Sequence, residues 1–175
     1  MKLSTRQIND FHDDGFLVLK KFAKTALCDA ICEKAQEHLD DQIMPFESEQ
    51  EYLQTSASSL IIRRLRQVYD RDDIFSQWMK HEAILPILTQ LLQDTPTLLL
   101  AHHNSIMTKH SFMSSATPWH QDIRYWNYEN DELVSVWLSL GDEFIDNGLL
   151  EFIPGSHKMC FDSKQFDDRS NFRDD

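Results

Sequence analysis

The feature that most constrains the fold is a change in hydrophobic period near residue 95. Before it, apolar residues recur three or four positions apart, the spacing of amphipathic helices packed on a core. Over residues 96–160, short apolar runs and alternating segments replace that pattern, as in β-strands. No linker or internal repeat interrupts the sequence. We therefore expect one α+β domain over residues 1–175, with a mainly helical cover over 1–95 and a sheet, sandwich or barrel over 96–160.

Local end signals define the first two helices. Ser4 and Gln7 form a predicted capping box, and Gly15 is expected to end the first helix. Thr25 is the expected cap of a second helix, and Pro45 follows its end. The second helix carries one apolar stripe at roughly helical spacing, made of Leu27, Ile31, Ala35, Leu39 and Ile43.

Later segments predict two more helices and a series of strands. Residues 71–93 suit two helices hinged near Pro86, with Asp72 at the first N-terminus. Residues 46–59 are polar and predict a loop or a short helix. The predicted strands are 16–19, 60–69, 97–109, 133–140 and 149–153. Within 133–140, the Val and Leu side chains point one way, and those of Ser135, Trp137 and Ser139 point the other.

Charge and end composition limit the partners and the compartment. The formal net charge is −12 at pH 7, so the chain repels polyanions, and we expect neither a nucleic-acid nor a membrane partner. The first residues lack the apolar stretch of a signal peptide, and no apolar run approaches the length of a membrane helix. Three cysteines without framework spacing fit a reducing compartment. A cytoplasmic protein is the expectation.

The chemistry rests on a short motif that occurs three times. Its copies are His12/Asp14, His38/Asp40 and His120/Asp122. The first lies at a predicted helix end, and the second lies in a predicted helix, where side chains two positions apart diverge. Only His120/Asp122 lies in an extended, aromatic-rich context. Because side chains at i and i+2 of a strand share a face, this pair could supply two ligands of a 2-His-1-carboxylate Fe(II) site. The alternative is a surface histidine beside a solvated aspartate.

Four segments, in the same order along the chain, resemble the phytanoyl-CoA dioxygenase family of Fe(II)- and 2-oxoglutarate-dependent oxygenases. They are Phe11–Leu19, Trp119–Trp126, Val134–Leu140 and Asn147–Lys158. The resemblance implies a double-stranded β-helix, a jelly-roll or cupin-like barrel, with the N-terminal helices packed outside. It also implies Fe(II), 2-oxoglutarate, O2 and a small organic substrate. The family name suggests an acyl-CoA, but the net charge of −12 disfavours so anionic a ligand, and small polar metabolites fit equally.

The same resemblance implies roles for individual residues. His120 and Asp122 carry over as iron ligands and catalytic residues. The carboxylate of Asp122 favours hydroxylation, because related halogenating enzymes have a small residue at that position. Trp137 carries over as a wall of the 2-oxoglutarate pocket, and its alternative is a plain core aromatic. Tyr125 and Trp126 are expected to border the substrate pocket.

Three basic residues are further candidates for binding the carboxylates of the cosubstrate or the substrate. They are Lys109, which precedes the iron segment, and Arg64 and Arg66, which lie in the densest basic cluster. Arginine suits this role because its planar guanidinium can donate two hydrogen bonds to one carboxylate. The alternative for each is a solvated surface charge.

The family pattern places a distal histidine ligand and an arginine several strands later, and the sequence stops before them. His157 is the only histidine after Asp122, but the family's histidine at that position follows a turn and is not the distal ligand. We therefore expect C-terminal barrel strands to be missing, as in a fragment of an active enzyme type, with open edges that permit self-association. A second chain completing the barrel and a relative that has lost catalysis are the alternatives.

Two rival functions remain open at the level of sequence. The first is a non-catalytic barrel that acts as a binding module, because the distal histidine and arginine are absent. The second is a different metal hydrolase or a cupin-like protein, which would use His120, Asp122 and one of His102, His103 or His110.

Overall fold

The structure is a computed structural model that describes residues 1–56, 60–102, 104–110, 113–126, 128–130 and 132–173. Its helices are α1 (Thr5–Asp14), α2 (Thr25–Asp40), α3 (Glu49–Leu53), α4 (Asp73–Met79) and α5 (Leu85–Leu92). Its strands are β1 (Phe46–Ser48), β2 (Ile62–Arg66) and β3 (Ser105–Met107). Short 3-10 turns lie at Val68–Asp70, Asp122–Tyr125, Ile145–Asn147, Ser156–Lys158 and Ser163–Gln165.

The helix ends largely follow the local signals. The predicted capping box at Ser4 and Gln7 is present, and Gly15 ends α1 in the left-handed conformation. The Asp72 carboxylate accepts a hydrogen bond from the backbone N–H of Ile74 at 2.9 Å and caps α4. Thr25 was the wrong cap for α2, because it is the first helical residue and Lys24 occupies the cap position without a side-chain bond. One-residue differences of this kind are typical of helix ends.

The sheet is small and antiparallel, in the order β1–β2–β3. The predicted strands 60–69 and 97–109 contain β2 and β3, and the short-helix alternative for 46–59 is confirmed by α3. The strand β1 was not predicted, because its three residues are polar or aromatic and acquire strand character only by pairing with β2.

Two apolar clusters hold the helices against this sheet. The larger joins α2, β2 and α4 through Ile31, Leu65 and Phe75, and Leu138 and Leu140 pack against it. The smaller joins the N-terminus and α5 through the buried residues Leu3, Ile87 and Leu91, with partly buried neighbours Ile8, Phe11, Leu17, Leu19 and Phe22. The α2 stripe is therefore confirmed as a core face except at Ile43, which lies beyond the helix and is exposed.

Three predicted strands were wrong. Residues 16–19, 133–140 and 149–153 lie outside every strand of the structure. In the second of these segments, Leu138 and Leu140 do face the core, while Val136 and Trp137 are both about half exposed. Alternation predicts where side chains point, whereas a strand also needs a hydrogen-bonded neighbour, and the pattern does not specify one.

The α+β class is confirmed by the mixed helices and antiparallel sheet. The double-stranded β-helix and the division at residue 95 stay predictions. None of the helices in the described part of the chain combines the length and the apolar character needed to cross a membrane.

Candidate metal site

The structure brings the His120 and Asp122 side chains together. Nε2 of His120 lies 3.2 Å from Oδ1 of Asp122, and both side chains are partly exposed. The other ring nitrogen, Nδ1, lies 2.8 Å from the carbonyl oxygen of Pro118. Both contacting oxygens can only accept a hydrogen bond, so Nδ1 is placed to donate to the carbonyl and Nε2 is placed to donate to the carboxylate. Asp122 begins a 3-10 turn and does not continue a strand. The turn therefore brings the two side chains together.

This arrangement favours the charged imidazole when no metal is present. The carboxylate of Asp122 raises the pKa of His120 most strongly, partial burial lowers the pKa, and the Pro118 carbonyl raises it. Each ring nitrogen faces an oxygen acceptor, so protons on both nitrogens satisfy both contacts. A cation that took the place of the Nε2 proton would find an imidazole nitrogen and a carboxylate oxygen already aimed at one point.

The separation of His120 Nε2 and Asp122 Oδ1 would let both atoms coordinate one divalent metal ion. Nitrogen and oxygen ligands each about 2.1 Å from a divalent ion, at right angles, are about 3.0 Å apart. The observed separation is 3.2 Å. The hydrogen bond from Nδ1 to a backbone carbonyl is the usual second contact that fixes the ring of a metal-binding histidine. His120 and Asp122 therefore fit two neighbouring positions of a 2-His-1-carboxylate Fe(II) site.

Within the described ranges, no group of three His, Cys, Asp or Glu side chains is placed to hold a metal ion. His102 stacks on Trp126 with ring centroids 5.1 Å apart, and His110 donates its backbone N–H to Ser114. Neither joins the His120 pair in a three-ligand group. His103 lies outside the described residues. The alternative ligand set with His102 or His110 therefore finds no support in the structure.

His157 has a different environment. Its Nε2 lies 3.1 Å from the carbonyl oxygen of His12, at the C-terminal end of α1. The ion pair between Lys158 and Asp13, at 3.2 Å, ties the same turn to the same helix. The Pro-Gly-Ser-His turn thus fastens residues near 156 to α1. The expectation that His157 is not the distal ligand stays a prediction.

Aromatic side chains flank the His120 pair. The Tyr125 ring lies 5.6 Å from the His120 ring, and its hydroxyl donates to Oδ1 of Asn171 at 3.0 Å. Burial raises the pKa of Tyr125, so the hydroxyl keeps its proton and remains a donor. Trp126 packs with His102 and Tyr128. Tyr125 is thus adjacent to the candidate ligand, and the substrate-pocket role of both residues stays a prediction.

The C-terminal segment is not the solvated tail that its composition suggests. Phe166 and Asn171 are buried, and the backbone N–H of Phe172 donates to the Trp119 carbonyl at 2.9 Å. The guanidinium of Arg124 lies 3.4 Å above the Phe166 ring. These contacts join the C-terminal segment to residues on both sides of His120.

The predicted cosubstrate residues lie in three separate environments. Arg64 and Arg66 both contact Glu47, each at 2.6 Å, and Arg66 also lies 3.6 Å from Glu51, so each guanidinium already has a carboxylate partner within the chain. Trp137 is about half exposed and donates from Nε1 to Glu143 at 3.0 Å. Lys109 donates from Nζ to the Ser115 carbonyl at 3.0 Å. Burial, followed by the nearby Arg63, lowers the pKa of Lys109.

The sequence did not single out Arg63, which is the buried member of the arginine cluster. Its guanidinium contacts Glu49, Ser115 and Thr117, just before the His120 segment. A signal was available in the strand pattern, because Arg63 and the buried Leu65 stand two positions apart on β2. A basic residue at an inward position needs a buried acidic partner, and only the fold identifies that partner.

Comparison with known proteins agrees with the motif. The family model for phytanoyl-CoA dioxygenase matches residues 11–174. The ectoine dioxygenase of Streptomyces avermitilis is 32% identical over 101 residues, covering 55% of the chain and 33% of that relative. The L-proline trans-4-hydroxylase of Streptomyces griseoviridis is 28% identical over 102 residues, covering 56% of the chain and 37% of that relative.

A longer match joins the chain to the ectoine dioxygenase of Halomonas elongata, which is 27% identical over 163 residues, or 90% of the chain and 47% of that relative. The matches therefore span less than half the length of each of these three relatives. Since the family model covers nearly all of the sequence, including His120 and Asp122, the chain belongs to the phytanoyl-CoA dioxygenase family.

Proposed function

We propose that the chain carries part of the active site of an Fe(II)- and 2-oxoglutarate-dependent dioxygenase that hydroxylates a small organic molecule. The observation that supports this most directly is the convergence of His120 Nε2 and Asp122 Oδ1 at 3.2 Å. Family membership and the names of the relatives, which are dioxygenases and a hydroxylase, point the same way.

His120 and Asp122 would hold the iron, and bound Fe(II) with 2-oxoglutarate and O2 would supply the oxidising power for C–H hydroxylation. The chain's own part is to prepare the ligands. The Pro118 carbonyl keeps the Nδ1 proton in place and leaves Nε2 as the ligand atom. The Tyr125 ring lies beside the imidazole, with ring centroids 5.6 Å apart. To act as a ligand, Nε2 of His120 would have to be free of its proton.

For the carboxylates of 2-oxoglutarate, the structure favours Lys109 over the two arginines. Its ammonium contacts a neutral carbonyl, so its charge is not balanced by that partner. Arg64 and Arg66 would first have to leave Glu47. Trp137 remains the proposed wall of the cosubstrate pocket, since its ring is accessible.

A small polar metabolite is the proposed substrate class. The net charge of −12 opposes a highly anionic acyl-CoA. The printed names of two relatives, an ectoine dioxygenase and an L-proline hydroxylase, concern small molecules. The second candidate function is a binding module without catalysis, favoured by the lack of a three-ligand group in the described part of the chain.

The test is an anaerobic titration of the purified chain with Fe(II) and 2-oxoglutarate, followed by the visible charge-transfer band of the chelated complex. We expect a band that His120→Ala abolishes. His157→Ala is the matched control, because this histidine contacts α1 instead of the pair, and its band should persist. If the wild-type chain gives no band, the same titration on a C-terminally extended chain decides: a band there supports the catalytic proposal, and no band there refutes it and favours the binding module.

A further inference from the structure

A buried ion pair contacts Ser115 and Thr117, which precede His120 in the chain. Arg63 on β2 and Glu49 at the start of α3 have side chains only 5% and 4% exposed, and Nη1 of Arg63 lies 3.4 Å from Oε1 of Glu49. The proposed chemistry uses neither residue. Burying two charges carries a desolvation penalty that their attraction rarely exceeds, and well-packed apolar residues often stabilise a fold as well. Stability alone therefore does not explain why this pair is present.

Polar contacts extend the pair toward the candidate ligand. The Ser115 hydroxyl accepts from Nη1 of Arg63 at 2.5 Å and donates to Oε2 of Glu49 at 2.7 Å. Nη2 of Arg63 donates to the Thr117 hydroxyl at 3.2 Å. The Tyr52 ring lies beneath the guanidinium, 3.7 Å from its central carbon. Arg63 is therefore held on several sides and can transmit a fixed geometry to its partners.

The segment that these contacts hold ends at the carbonyl that orients His120. Ser115 and Thr117 are anchored, Pro118 follows directly, and the Pro118 carbonyl accepts the Nδ1 proton of His120 at 2.8 Å. The restricted φ of Pro118 leaves little freedom between the anchor and that carbonyl. The direction of the imidazole thus depends on β2 and α3, which are distant in sequence.

We propose that Arg63 and Glu49 are positioning residues that set the orientation of His120 through Ser115, Thr117 and Pro118. This inference rests on the proposed function, because orientation of His120 matters most for a ligand. Loss of an outer contact of this kind typically weakens metal binding by about 10–100-fold.

The test removes single hydroxyls while both charges stay in place. Arg63→Met would leave Glu49 as an unpaired buried charge. If that variant failed to fold, the result would not distinguish a positioning role from a purely structural one. Thr117→Val and Ser115→Ala avoid that problem, and Thr117→Ser should behave as the wild type. Thr89→Val is the matched control, because the Thr89 hydroxyl donates only to the Leu85 carbonyl on an exposed face of α5.

The first readout is the orientation of the His120 ring in the metal-free chain, measured from NMR cross-relaxation between its ring protons and those of Tyr125, whose ring centroid lies 5.6 Å away. We expect the same cross-peaks in the wild type and in Thr89→Val, and weaker or shifted ones in Thr117→Val and Ser115→Ala. The second readout is Co(II) affinity, from visible absorption, which should fall about 10-fold or more in the same two variants.

If both variants fold and keep the wild-type orientation of the His120 ring, the positioning role is refuted. Failure of the wild-type chain to bind Co(II) would count against the proposed function instead, and the ring orientation would still decide the positioning role. A wild-type Co(II) affinity in both variants, with the wild-type chain binding, would also overturn the inference.

Discussion

Gly15 is the position where one added methyl group should have the largest readable effect. It ends α1 with φ of +88°, in the region that side chains other than glycine rarely adopt. A Cβ atom built there would lie 2.3 Å from Nδ1 of His157. The substitution Gly15→Ala therefore tests the contact between α1 and the Pro-Gly-Ser-His turn.

The expected decrease in the free energy of unfolding for Gly15→Ala has two parts. An alanine in the left-handed region costs about 1 kcal/mol. The imidazole must also withdraw by about 1 Å to reach an ordinary contact distance. That movement breaks the 3.1 Å contact between Nε2 of His157 and the His12 carbonyl, a loss of about 1 kcal/mol. The two contributions together predict a free energy of unfolding lower by about 2 kcal/mol and a urea midpoint lower by about 1 M.

Substitutions at two other glycines separate the backbone cost from the cost of the lost His157 contact. Gly155 also has a positive φ, +76°, but the nearest atom to an added Cβ is 3.7 Å away, so Gly155→Ala should cost only about 1 kcal/mol. Gly141 has no atom within 4 Å of an added Cβ, and Gly141→Ala should change stability by less than about 0.5 kcal/mol.

The assay is urea unfolding followed by far-ultraviolet circular dichroism, arranged as a double-mutant cycle with His157→Ala. When His157 is already alanine, Gly15→Ala should cost about 1 kcal/mol, which gives a coupling of about 1 kcal/mol. Additive effects within about 0.3 kcal/mol, or equal losses for Gly15→Ala and Gly155→Ala, would refute the packing of His157 on α1.

Two further predictions concern other residues with unusual surroundings. Burial, and then Arg71, lowers the pKa of His38 below its ordinary 6.5. The unfolded chain therefore binds more protons than the folded chain as the pH falls through 6.5, and the free energy of unfolding decreases. His38→Gln should flatten this part of the curve of unfolding free energy against pH. An unchanged slope would contradict the reasoning. Tyr125→Phe removes the donor to Asn171, so it should lower the free energy of unfolding by about 1 kcal/mol in urea, and no change would show that this contact is not stabilising.

Much of the helical part could be predicted because its signals are local. The capping box at Ser4, the left-handed end at Gly15 and the cap at Asp72 each involve atoms within a few residues of one another. The strands were predicted less well for the opposite reason. Residues 133–140 alternate as a strand would, but a partner distant in sequence decides whether a strand forms.

For the candidate site, too, the sequence predicted local features better than contacts between distant segments. The sequence singled out His120 and Asp122 from three similar pairs by their context, and His38 indeed lies buried in α2, away from that context. The sequence offered Arg64 and Arg66 as candidates for binding a carboxylate of the cosubstrate or substrate, a role that stays a prediction, and only the structure shows that both contact Glu47. The last residues are rich in Asp, a composition typical of a solvated segment, whereas Phe166 and Asn171 are buried and Asn171 accepts a hydrogen bond from Tyr125.

The sequence by itself therefore determined the family, the mixed fold class and the two candidate ligands, since these depend on residue types at short, fixed spacings. Only the tertiary structure decided that Arg63 and Glu49 are buried together behind Ser115 and that His157 fastens a turn to α1. The physical reason is that burial and charge pairing depend on which distant segments meet. An arginine reads as a surface charge until folding places a carboxylate against it and removes the water.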